Sequence, residues 1–173
     1  MVTPLPELTG ERADLLAALD KHRGFLRYTV RGLTDNQAAE HPTVSALTLG
    51  GLIKHVAGVE ERWMRFAVGG AEAMRAEGAP EDAEAWANQF RMLPGETLDV
   101  LLERYRAVAE HTDNLVATLD LDAAHALPSA PWFEPGASWT VRRVLLHVIA
   151  ETSQHAGHAD ILRETLDGQR TMG

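Results

Sequence analysis

The chain has 173 residues, 45% of them hydrophobic, which fits one soluble globular domain with a sizeable core. Its formal net charge is -9, and its basic residues are interleaved with acids rather than gathered into a stripe, so a nucleic-acid partner is not expected. It contains no cysteine, which excludes disulfides, zinc-thiolate sites and cysteine nucleophiles; any thiol in its chemistry has to come from outside.

The opening stretch, MVTPLPELTGERADLL, has early acids and prolines where a secretion signal needs a basic start and an apolar run. No later stretch approaches a membrane span, so a cytoplasmic protein without a membrane partner is expected. From Glu7 to about Arg31, Leu8, Leu15, Leu16, Leu19, Leu26 and Val30 recur at three- and four-residue steps, the period of a helix with one buried face. Gly32, an Asp/Asn pair and Pro42 then mark a connection in which a short helix is expected.

Thr48 precedes LGGLIKHVAGVEERWMRFAVGG, a second amphipathic helix whose pattern predicts an end at Gly69-Gly70. Residues 71 to 96, with Pro80 and Pro94, read as a long crossover holding a short helix anchored by Trp86, Phe90 and Leu93. A third helix follows from about Leu98 to Asp120, then a loop, then the longest helix, from Ser138 or Thr140 to a C-terminal glycine cap at Gly168. No segment alternates apolar and polar residues with the strand period, so the expectation is an all-α single domain over residues 1–173, a four-helix bundle with a long crossover between helices two and three. Thr48 precedes His55 by the interval that separates Thr140 from His147, an echo between helices two and four.

The fourth helix contains ETSQHAGHADILRE. At ~3.6 residues per turn, His147, Glu151 and His155 lie nearly above one another on one face, and an i, i+4 pair of such groups can hold one divalent ion. A third ligand has to come from another helix. His55 is the best candidate, because in LIKHVAGV a histidine has to be buried, paired or coordinating. Spacing alone leaves open a satisfied core histidine and a solvated Glu-x-x-x-His surface pair. At ~1.5 Å per residue, antiparallel packing of helices two and four brings His55 and His155 closer in level than parallel packing does.

LTLGGLIKHVAGVEERW and SWTVRRVLLHVIAETSQHAGHADILRETLDG resemble the DinB-like superfamily of four-helix bundles, the DinB/YfiT-like proteins, over nearly the whole chain. The resemblance implies zinc or nickel bound by one histidine of the second helix and two ligands four residues apart on the fourth, here His55, Glu151 and His155. Many members have histidine where this chain has Glu151, whereas the similar mycothiol-dependent maleylpyruvate isomerases use a His/Glu/His set. By the same resemblance the expected activity is a metal-dependent, thiol-dependent S-transferase or isomerase that uses mycothiol or a similar small thiol as co-substrate, in a homodimer. A metal-dependent hydrolase with the same ligands, and a non-catalytic, stress-associated binding or dimerisation bundle, are the alternatives.

His147, His158 and Asp160 are candidates to orient a ligand from outside the coordination sphere, and His147 is also an alternative ligand to Glu151. His22, His41, His111 and His125 lack companion spacing and are expected on the surface. Trp63, Trp86 and Trp139 are expected as core or loop anchors, and Trp132 with Phe133 at the mouth of a site. Arg142 and Arg143 are expected either to favour an anion at the start of helix four or to pair with acids on the surface.

Overall fold

The computed structural model describes residues 8–75 and 83–171. Its elements in chain order are α1 (Gly10–Thr29), α2 (Asp35–Ala39), α3 (Leu49–Arg75), α4 (Ala83–Asn88), α5 (Leu98–Thr118), β1 (Ala124–Ala126), β2 (Ser138–Thr140) and α6 (Val141–Asp167). The fold is all-α in character. Glu7 and Pro80 lie outside the described residues, and the first helix begins at Gly10.

Contacts between the helices give their directions. Along α1, Arg12 reaches the Val116 carbonyl, Arg23 reaches Asp113, and Arg27 sits over the Tyr105 ring, so α1 and α5 are antiparallel. On α3, Lys54 pairs with Glu96 just before α5 and Glu61 pairs with Arg104, so α3 and α5 are parallel. Arg142 at the start of α6 pairs with Glu11, and Arg163 near its end donates to the carbonyls of Thr29 and Arg31, so α1 and α6 are parallel. The bundle therefore runs up, down, down, up, and the parallel α3–α5 step is what requires a long crossover.

The buried leucines and valines of the predicted faces fill two stacked core regions. One includes Leu26, Leu52, Ile53, Leu101 and Leu162, and the other Leu19, Val59, Phe66, Val144 and Leu145. Full burial of each such side chain is worth about 1.5–3 kcal/mol. Thr48 and Thr140 both accept a hydrogen bond from the backbone N–H three residues on, at Gly51 (3.0 Å) and Arg143 (3.1 Å), so the echoed threonines open α3 and α6 in the same way. Gly168 ends α6 in the left-handed conformation at φ 78°.

Three expectations are corrected. The second long helix does not stop at Gly69-Gly70: Gly70 breaks it (φ 71°, ψ -161°, a region essentially reserved for glycine), and helical structure resumes to Arg75. A strand pair also exists where none was expected, with Ala124, His125 and Ala126 opposite Thr140, Trp139 and Ser138. Three residues per strand are too few to show an alternating pattern. His125, expected on the surface, is half-buried: its ring packs on Gly70 and on Phe66, and its Nε2 lies 3.2 Å from the Ala67 carbonyl. The ribbon thus docks where α3 is broken.

Candidate metal centre

The start of α3 has to admit another chain segment. A Cβ on Gly51 would collide with the Phe90 backbone, and one on Gly50 with the Met92 side chain. The Gly50-Gly51 pair therefore lets the crossover lie directly on the helix, and Phe90 stacks on the ring of His55 at 4.1 Å between centroids. On its other side His55 meets His155 edge-on at 4.8 Å. Two turns further along α3, Trp63 meets His147, two turns back along α6, at 4.7 Å. The two helices are antiparallel, and His55 and His155 share a level.

One donor atom each from His55, Glu151 and His155 lie within 4.8 Å of one another, which makes these three a group able to hold a metal ion. The Nε2 of His155 is 3.7 Å from Glu151 Oε2, and that of His147 is 3.9 Å from Glu151 Oε1, both longer than a hydrogen bond. The His55 Nδ1 is buried without a hydrogen-bond partner, a condition shared among the described residues only with the hydroxyls of Tyr105 and Thr112. A buried polar atom of this kind costs about 1–3 kcal/mol unless something occupies it. Burial first, and then the neighbouring His155, push the His55 pKa down to about 4, so the ring is neutral and its lone pair available. The facing His155 imidazole holds the Glu151 carboxyl below the usual carboxylate range against the opposing effect of burial. Donors around one zinc ion, each about 2.0–2.1 Å from it, lie about 3–4 Å apart. The residues present fit an ion with small side-chain movements.

The remaining candidates are placed as follows. The Nδ1 of His158 lies 3.4 Å from the Nδ1 of His155 and so touches the outer nitrogen of that ring. The Asp160 carboxylate accepts from the Thr171 N–H at 2.7 Å and is engaged by the C-terminal segment. Trp63 and Trp139 stack on each other at 4.8 Å, His147 meets both rings edge-on, and burial lowers its pKa. Arg142 pairs with Glu11 and Asp122, and Arg143 lies 4.7 Å over the Trp139 ring. Both are in contacts with the protein itself.

Above the cluster opens a cavity of about 560 Å³, to which His55, Glu151 and His147 contribute. Its walls include Trp63, Trp86, Phe90, Trp132 and Phe133. Trp132 and Phe133, expected at the mouth of a site, line the cavity, and so do Trp63 and Trp86, expected as anchors. Arg62, which the reading of the sequence passed over, lines it too. The signal was present: at i+7 from His55, Arg62 falls only about 20° around α3 from it.

Fold and site together define an up-down-down-up helical bundle with a metal-capable pair of histidines and a carboxylate between facing helices. A sequence model described as Mycothiol-S-transferase matches residues 14–168, and the chain belongs to that family of DinB-like proteins. Among solved structures, a conserved protein from Enterococcus faecalis is similar at a TM-score of 0.68, with 94% of this chain and 100% of that chain covered. At 15% identity the likeness concerns the fold. No curated protein matches the chain.

Proposed function

We propose that the chain is a metal-dependent enzyme that transfers a small thiol, mycothiol or a close analogue, to a small electrophilic substrate. The observation that carries this reading is that the His55, Glu151 and His155 cluster opens, through His55 and Glu151, onto an aromatic-walled cavity of small-molecule size. The family match supports the thiol, and the absence of cysteine requires that it come from outside.

His55, Glu151 and His155 would hold a divalent ion, zinc or nickel. Such an ion, when bound, lowers the pKa of a coordinated thiol so that thiolate is present at neutral pH. The chain's residues supply the rest. Glu151 offsets one positive charge, and His55, kept neutral by burial, presents nitrogen rather than N–H to the site. His147, on the cavity wall with a lowered pKa, is a neutral base positioned to take up the proton that the thiol releases. Trp63, Trp86 and Trp132 present apolar surface to the electrophile and keep water from the thiolate.

The test is to add mycothiol to cobalt-substituted protein. The expected result is a new near-ultraviolet sulfur-to-cobalt charge-transfer band that is absent from the His155→Ala variant. An unchanged spectrum with mycothiol, glutathione and coenzyme A, in protein shown to contain cobalt, would remove the thiol from the reaction and favour a hydrolase.

A further inference from the structure

We propose that the electrophile taken by this cavity carries a carboxylate on an aromatic or apolar body, and that Arg62 is the residue that selects it. The inference rests on the reading of Glu151 as a ligand to the ion.

Arg62 is half-buried on the cavity wall. Among the described residues it makes no hydrogen bond or ion pair, whereas Arg23, Arg104, Arg106, Arg142 and Arg163 are each held by at least one carboxylate. Burial lowers its pKa against the attraction of Glu151, which among the described residues is the carboxylate that acts on it. An arginine partly withdrawn from water without a counter-charge is costly to keep, and a ligand carboxylate removes that cost through two parallel N–H···O bonds.

The charge of the cavity points the same way. Among the described residues its ionised groups are Arg62 and Arg75 against Glu151, and committing Glu151 to a divalent ion leaves these groups with a cationic balance. This is the reverse of the chain as a whole, at -9, so the field inside draws an anion that the outer surface repels. Trp63, Trp86 and Trp132, which also line the cavity, ask for a flat or apolar body. Arg62 acts electrostatically on His55, Glu151 and His147, so an anionic head held by Arg62 brings the ligand to the same part of the cavity as the His55 and Glu151 donors.

The test measures binding of 3-phenylpropionate and its neutral amide to zinc-loaded protein by calorimetry, with zinc content determined in every sample. The carboxylate is expected to bind at least about tenfold more tightly than the amide, the value of one charge-assisted contact. That preference should disappear in Arg62→Gln and survive in part in Arg62→Lys, with circular dichroism showing both variants folded. Equal binding of the two probes by the native chain overturns the proposal. So does a preference that persists in Arg62→Gln and vanishes only when zinc is stripped, because the carboxylate then sits on the ion. Protein that takes up no zinc sinks the metal reading, and the comparison with Arg62→Gln still reports on Arg62.

Discussion

Helix α3 carries two buried polar side chains, His55 and Glu60, about 140° apart around its axis, and they sit in clusters of opposite character. Glu60 faces α1, where Arg23 is fully buried and donates through Nε to Glu60 at 3.2 Å and through Nη1 to Asp20 and Asp113, each at 2.8 Å. The Arg23 guanidinium is thus bonded to three carboxylates. His55 faces α6 and the crossover, where its Nδ1 has no partner and its neighbours Glu151 and His155 approach without bonding it. The first cluster is satisfied within the chain, and the second is a group able to hold an ion. What sets the second cluster apart is that its incomplete hydrogen bonding falls on a metal-capable nitrogen grouped with a histidine and a carboxylate beside a cavity, whereas the Arg23 and Glu60 network is complete and serves the fold.

The largest effect expected from this contrast is on stability. Glu60→Ala leaves Arg23 buried with part of its counter-charge gone and should cost about 3–5 kcal/mol in denaturant unfolding. His155→Ala in metal-free protein should cost far less; equal losses would show that the two clusters are both structural.

The second effect is on pH. His55 has a folded pKa of about 4, against an ordinary value of 6.5. Between these values the unfolded chain binds more protons than the folded one, so stability falls as the pH drops. Metal-free protein should lose up to about 3 kcal/mol from this group between pH 6.5 and 4. His55→Gln should flatten that part of the stability profile, and a slope unchanged in the variant would place the titration elsewhere.

The third effect is smaller and tests what positions the site. Gly51→Ala pushes the crossover off α3 and should cost about 1–3 kcal/mol by overpacking. It should also make Trp86 more accessible to a soluble fluorescence quencher. A neutral substitution with Trp86 unchanged would contradict the role given to the glycine pair.

The sequence pattern made the four long helices readable because each keeps a 3.6-residue apolar repeat, and Thr140 and Gly168 mark the ends of α6. The break at Gly70 was half legible: the glycine pair was visible, but only the ribbon docking there shows that the helix resumes. The ribbon itself was not legible, since its pairing joins residues on either side of a loop and has no local pattern. At the site, spacing alone left His147, Glu151 and His155 as rivals on one helix face. The structure brings Glu151 and His155 together with His55, and turns His147 toward Trp63 and Trp139. Arg62 was half legible: its i+7 spacing from His55 placed it on the same face of α3, but that it lacks a partner is something no sequence displays.

The most direct measurement is elemental analysis of protein purified without a metal-affinity step, alongside a Glu151→Ala/His155→Ala double variant. The account predicts about one equivalent of zinc or nickel in the native chain, as a single three-ligand site takes, and none in the folded double variant. Native protein that stays empty after zinc and nickel are offered back, or a variant that holds as much as the native chain, would contradict it.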